Sequence, residues 1–375
     1  MNRVRCALLV VLLCLQWIVG TGVVAAGGGY PVVRDDVALV FPDDTGAHPE
    51  YRTEWWYVTG WLTDDAGVRR GFQLTFFRVR TLIGEDNPSL FAPSQLLLAH
   101  AAVADPAHGR LLHAERAERA LPGLAGAASG RTDVFVGDWF LRLEDEEGES
   151  ADGTASYRSQ IATERFAFSL NFRTPHAPVL NGRQGFSQKT GNPLNASYYY
   201  SRPQLKVSGE LTVDGRARPV TGHAWLDHEW SSEILPEEAG GWDWLGINLH
   251  DGGSLMAFQM RDRQGQALWT AATLRESGGR ERVLAPHEVS FEPLRLWQSA
   301  RTGARYPVAW RVRVAEHTYL VEPLMDDQEL DSRRSTGAVY WEGAVRLRAA
   351  DGTAGSAELG QGYLEMTGYL DRLRM

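Results

Sequence analysis

The sequence predicts an all-β protein with little helix, built as barrels or sandwiches, and three observations carry that prediction. Apolar and polar residues alternate with period two, Asp-Gly pairs punctuate the alternation, and helical periodicity is scarce. Strands with one buried and one wet face are the material of antiparallel sheets. Closed or paired sheets are how such strands cover their edges.

The first element is MNRVRCALLVVLLCLQWIVGTGVVAAGGG, with Arg3 and Arg5 ahead of an apolar run and small residues near Ala26. This is the plan of a secretory signal peptide over residues 1–26, followed by a linker over 27–45. The expected location is secreted or periplasmic. An N-terminal membrane anchor is the alternative, since the apolar run approaches the length of a span. Both cysteines, Cys6 and Cys14, fall in this leader. The mature chain then has no thiol nucleophile, no thiolate metal site and no disulfide, and depends on core burial for stability. Without Arg3 and Arg5 it carries 36 basic and 47 acidic residues, a net charge of −11. That excludes nucleic acid and anionic membrane surfaces as expected partners.

The strands follow. Phe166, Phe168, Leu170 and Phe172 share one face against Arg165, Ser169 and Asn171. Leu205, Val207, Leu211 and Val213 repeat the pattern, as do Trp310, Val312 and Val314. Asp214-Gly215, Asp251-Gly252 and Asp351-Gly352 read as turns. One helix is expected, in HAERAERAL at 113–121, stopped by Pro122. The segment 176–200, rich in Gly, Asn and Pro, resists a strand reading, and long loops inside compact domains tend to be functional. It carries Arg183, Phe186, Lys189 and three tyrosines, and it could cover a cavity mouth.

A weak repeat organises these elements. EWWYVTGWL at 54–62 resembles GYLEMTGYL at 362–370, and WWYVTGWLTDD resembles WDWLGINLHDG. In the second echo each copy leads into a strand ending in arginine, FQLTFFR or LMAFQMR. Two related β-domains are expected, over 46–218 and 219–375, with the junction near 215–222.

The candidate chemistry gathers in GHAWLDHEWSSE at 222–233 and GWDWLGINLHDGG at 241–253. Indoles bind apolar ligands and stabilise cations on their faces. A carboxyl held among them is desolvated, so its pKa rises and it can donate a proton. Asp227, Glu229, Asp243 and Glu54 are the candidate carboxyls, and His223 and His228 the candidate imidazoles. On a strand Glu54 shares a face with Trp56, while Trp55 and Tyr57 lie opposite; alternation does not say which face lines a cavity. His223, Trp225, Asp227 and Glu229 likewise face one way and His228 the other. No metal motif reaches useful specificity, and no nucleophile elbow, phosphate loop or dinucleotide fingerprint is present. No metal and no cofactor are expected.

The motifs EWWYVTG, NGRQGFSQK, SYYYSRPQLKVSGELTVDG, GHAWLDHEWSS, GWDWLGINL and GYLEMTGY, in that order, resemble the carotenoid 1,2-hydratase (hydroxyneurosporene synthase) and AttH-like family. The resemblance implies two lipocalin-like β-barrel domains in tandem. It implies a hydratase that adds water to the terminal C=C bond of an acyclic carotene without a cofactor. In that reading Asp227 or Asp243 is the acid and His223 or His228 the base, with Glu229 beside them. Trp225, Trp230, Trp242 and Trp244 form the aromatic surround, and Glu54, Trp55, Trp56, Tyr57 and Tyr199 face the ligand. The export leader departs from a carotenoid enzyme working at the cytoplasmic membrane. Some family members are linked to export systems, which implies an association with an envelope ABC-type exporter; the expected oligomeric state is a monomer. Three readings stand at this point: a hydratase-like lyase on a long hydrophobic small molecule, a non-catalytic lipid carrier, and a sugar-binding or sugar-cleaving domain.

Overall fold

The computed structural model describes residues 25, 26, 29–89, 91–144, 154–350 and 357–372. The leader up to Val24, with Cys6 and Cys14, and the Asp351-Gly352 turn lie outside them. Strand makes up 61% and helix 3%, in two barrel-like domains, one a nearly closed barrel and one a half-barrel. No helix among the described residues is long and apolar enough to cross a membrane.

The first sheet is built from β1 (Thr53–Asp64), β2 (Arg69–Arg80), β3 (Gln95–Ala104), β4 (Leu112–Arg119), β5 (Ala125–Ala127), β6 (Asp133–Val136), β7 (Trp139–Leu143), β8 (Ser156–Ala162), β9 (Phe166–Arg173), β10 (Ala196–Val213) and β11 (Arg216–Glu233). Its order is β4-β3-β2-β1-β11-β10-β9-β8-β7-β6-β5, antiparallel throughout. The second sheet holds β12 (Ala239–Leu249), β13 (Ser254–Asp262), β14 (Ala267–Arg275), β15 (Glu281–Leu284), β16 (Val289–Gln298), β17 (Arg305–Val314), β18 (His317–Pro323), β19 (Ala338–Ala349) and β20 (Glu358–Met366). Its order is β15-β14-β13-β12-β20-β19-β18-β17-β16.

Each barrel buries its own alternating face. Phe166, Phe168, Leu170 and Phe172 pack inside the first with Trp56, Phe72 and Phe76. Trp310, Val312 and Val314 pack inside the second with Leu245, Ile247 and Trp341. A third apolar cluster joins the barrels: Tyr57, Trp61, Tyr199 and Trp225 meet Trp244, Met256, Phe258 and Tyr363. Strands β1 and β12, with residues 196–205 of β10 and 224–232 of β11, are therefore buried on both faces, one toward a barrel interior and one toward the seam. Gly246 is needed there, because a Cβ would lie 2.3 Å from the Trp244 ring and 3.2 Å from Trp225. A bulge in β10 at Gln204, φ +59°, turns that residue across the seam. Its amide hydrogens reach Leu249 O at 2.9 Å and Gly253 O at 2.7 Å.

Three expectations need correction. The segment 113–121 is not helix: Leu112–Arg119 is a strand paired rung for rung with β3, and the pairing outweighs local helix propensity. The sheets change over at 234–238 rather than near 215–222, because β11 closes onto β1 and stays in the first sheet. The segment 176–200 is not one long loop. Val179–Leu180 and Phe186–Gln188 pair with β10, which begins at Ala196.

Candidate functional site

The two faces of β1 and β11 carry different chemistry. Toward the first barrel's interior point Glu54, Trp56, His228 and Trp230. Glu54 is fully enclosed and accepts from His48 Nδ1 at 2.8 Å, His228 Nε2 at 2.9 Å and Arg78 Nε at 2.7 Å. His48 also reaches Asp44 at 3.0 Å and stacks on Trp230, with ring centres 3.7 Å apart. Burial alone would raise Glu54, but the hydrogen bonds from His228 and His48 and the charge of Arg78 outweigh it and hold the carboxyl well below the usual range. Burial also works against a charged His48, and Asp44 and Glu54 reverse that, lifting it to about 9. His228 moves the other way, lowered by burial. The group is a neutralised ionic core of two anions and two cations. Ligand atoms of His48, Glu54 and His228 lie within 4.8 Å of one another. The Arg78 guanidinium and the imidazolium proton of His48 already occupy the carboxylate, so these residues do not fit a metal ion.

Toward the seam point Trp55, Tyr57, Trp225, Asp227 and Glu229. Together with Tyr199, Trp242 and Trp244 they gather at a chamber of about 330 Å³ between the barrels. Phe77, Leu98, Phe258 and Met260 complete its apolar wall. His100 on β3 bonds Tyr340 at 2.7 Å and Ser335 at 2.8 Å, closing the chamber with one residue from the first barrel and two from the second.

Besides Glu54, four carboxyls line this chamber, and among the described residues only Glu229 of these four meets a cation, the Lys189 ammonium at 2.7 Å. Asp227 accepts from Ser201 Oγ at 2.5 Å and Trp225 Nε1 at 2.7 Å on one oxygen, and from Tyr199 Oη at 2.8 Å on the other. Tyr199 in turn accepts from Trp244 Nε1 at 2.9 Å. Burial pushes Asp227 up to about 7; the three donors pull it down, and the Glu229 charge adds to the rise. Glu342 and Glu365 are direct cross-strand partners on β19 and β20 and both enter the chamber. Burial first, then Glu365, raises Glu342 well above the carboxylate range, while the Tyr57 hydroxyl donates to it. Burial raises Glu365 to about 8, against a 3.2 Å bond from Trp242 Nε1. A pair of like charges in a dry site cannot both ionise cheaply. The chamber therefore holds protons on carboxyls at neutral pH.

The structure divides the residues read from sequence. Asp227, Glu229, Trp55, Tyr57, Tyr199, Trp225, Trp242 and Trp244 come together at the chamber and its wall. Glu54, Trp56, His228 and Trp230 belong to the ionic core of the first barrel; Glu54 also borders the chamber, but its oxygens are occupied by that core. Asp243 is a correction. It faces the second barrel's interior, bonded by Gln259 at 2.6 Å, Arg261 at 2.7 Å and Tyr369 at 3.0 Å, because β12 places Trp242 and Trp244 on its other face. His223 is a second correction. It is exposed at the opposite end of the seam, in an open basin of about 650 Å³ with Lys206, His250 and Glu358. Sequence reasoning passed over Glu342 and Glu365. The signal for Glu365 was its place in the quoted GYLEMTGY motif; for Glu342 it was the neighbouring Tyr340 and Trp341.

The AttH-like family model matches residues 32–369. An AttH-assigned protein from Nitrosomonas europaea has a similar structure, with 47% identity over 90% of this chain and 99% of that one and a TM-score of 0.81. Kievitone hydratase from Nectria haematococca shares the fold at 17% identity over 92% and 96% of the two chains, TM-score 0.66. CghA in complex with Sch210972 shares it at 14% identity over 86% and 90%, TM-score 0.51. No curated protein matches the chain.

Proposed function

The chain belongs to the AttH-like family, and from that premise we propose that it is an exported, cofactor-independent hydratase-like protein acting on a long hydrophobic ligand held between its barrels. The observation that carries this reading is three buried carboxyls, Asp227, Glu342 and Glu365, around one aromatic hollow with no lysine, arginine or histidine at ion-pair distance among the described residues. An unpaired buried acid costs stability. A carrier needs the aromatic wall and gains nothing from such acids, whereas acid–base chemistry needs them. The leader's signal-peptide plan supports export.

The roles follow from the surroundings. Glu365, raised to about 8 beside Glu342, carries a proton at neutral pH and serves as general acid toward a C=C bond. Protonation leaves a carbocation, and the faces of Trp55, Tyr57, Trp242 and Trp244 stabilise it, worth about 2 kcal/mol when desolvated. Asp227, whose three donors favour the carboxylate, takes a proton from the water that captures the cation. Water's oxygen bonds to carbon, its proton passes to Asp227, and the acid's proton stays on the neighbouring carbon. The rate then rises with pH through about 7, as Asp227 ionises, and falls through about 8, as Glu365 loses its proton.

The test begins with the molecule that co-purifies, identified by mass spectrometry. Farnesol and farnesene are then incubated with the native protein in oxygen-18 water. The account expects label in the product and a loss of about 100-fold or more in Asp227→Asn, with binding retained by tryptophan fluorescence. Binding without turnover in the native protein supports the carrier instead. A co-purified phospholipid would do the same.

A further inference from the structure

Lys189 is the one lysine among the chamber's lining residues, and it is almost wholly buried. It follows the short strand Phe186–Gln188, in a turn pinned by its own N–H on Asn195 O at 2.8 Å and by Thr190 Oγ1 on Asn195 Oδ1 at 3.0 Å. Its ammonium meets Glu229 at 2.7 Å and Ser187 Oγ at 3.0 Å. It also sits 4.9 Å from the Tyr199 ring centre and 4.8 Å from that of Phe258. An ammonium has three N–H donors. Among the described residues Ser187 Oγ takes one of them as a hydrogen bond, while Glu229 Oε1 pairs by charge at 2.7 Å without hydrogen-bond geometry. The two ring faces stabilise its charge but accept no full hydrogen bond, so donor capacity is left over toward the chamber.

We infer that the Lys189 ammonium is the recognition point for an oxygen function, a carbonyl or hydroxyl, on an otherwise hydrophobic ligand. The ligand class is then an oxygenated terpenoid-like chain rather than a pure hydrocarbon. Tyr199 ties this point to the chemistry: its ring underlies the ammonium and its hydroxyl donates to Asp227. An oxygen bound at Lys189 thus sets the adjoining carbon skeleton against the Asp227 end of the chamber. The inference rests on the chamber being the ligand site, but not on any turnover there.

Farnesal, farnesol and farnesene share a skeleton and differ in that one oxygen, so titration of tryptophan fluorescence with each tests it directly. Transfer from water favours the hydrocarbon, so a preference for the oxygenated pair reports a specific polar contact. The expected preference is about tenfold or more, the worth of one hydrogen bond to a charged donor. Lys189→Met should erase the preference while farnesene affinity stays within about twofold. Because that change strands Glu229, the Lys189→Met/Glu229→Gln double variant should behave the same way. Equal affinities in the native protein, or a preference that survives in both variants, would overturn the inference while leaving the hydratase reading intact. Failure of all three probes to bind would overturn both.

Discussion

Glu54 and Asp227 lie on adjacent strands three rungs apart, both enclosed, yet they titrate in opposite directions. Desolvation acts on each in the same sense. The difference is company. Glu54 has Arg78 and a charged His48 within hydrogen-bond reach, whereas Asp227 has only neutral donors and a like-charged neighbour in Glu229. The pattern extends to the second barrel, where Asp243 is paired with Arg261 inside and Glu365 is unpaired in the seam. The acids inside each barrel are paired with cations, and the seam between the barrels keeps acids that have none among the described residues.

The contrast breaks most sharply at its stable end. Glu54→Ala leaves Arg78 and His48 buried without their carboxylate, and should cost about 3 to 5 kcal/mol in urea denaturation. The sign with pH also follows. A depressed carboxyl stabilises the fold above its unfolded value near 4.5 and loses that contribution as pH falls through the folded value. A Glu54→Ala deficit that does not shrink toward acid pH would show that Glu54 is not held ionised.

Glu365→Gln should act in the reverse direction and more weakly. A raised carboxyl favours the fold when protonated, and stability drains away as pH climbs from about 4.5 to about 8. The glutamine variant escapes that loss. It should be more stable than the native chain at pH 9 by on the order of 2 kcal/mol, and nearly equal to it at pH 4. A variant destabilised at both pH values would mean that Glu365 serves packing alone. His223→Ala marks the small end of the scale. The residue is exposed and far down the seam, so unfolding free energy and ligand-binding free energy should both stay within about 0.5 kcal/mol of native.

Much of the fold was legible because alternation is a local signal. The inward sets Phe166 to Phe172 and Trp310 to Val314 follow the pattern read from the chain, and so does the split of Glu54 and Trp56 from Trp55 and Tyr57. The second echo marks β1 and β12, the strands that bring Tyr57 and Trp244 edge to face at 5.2 Å. The site was legible only in part. Strand β1 has no wet face, so period two could separate its sides without naming the one at the cavity. Asp227 and Asp243 look alike in sequence; only the neighbouring strand decides that Arg261 reaches Asp243 and that, among the described residues, no cation pairs with Asp227. Glu342 and Glu365 lie 23 positions apart and become a pair only through the β19–β20 register. The helix misread at 113–121 has the same origin, since pairing with β3 cannot be seen within a nine-residue window.

The proton inventory of the seam is the central claim, and infrared spectroscopy reads it without any ligand. A carboxylic acid and a carboxylate have separate carbonyl stretches, so the native protein at pH 7 should show a protonated-acid band that shifts in deuterium oxide. Glu365→Gln and Glu342→Gln should each remove close to half of that band, their double variant most of it, and Asp227→Asn should trim it, with the fold verified by circular dichroism. A native spectrum at pH 7 with every carboxyl ionised, or a band untouched by all three substitutions, would contradict the account.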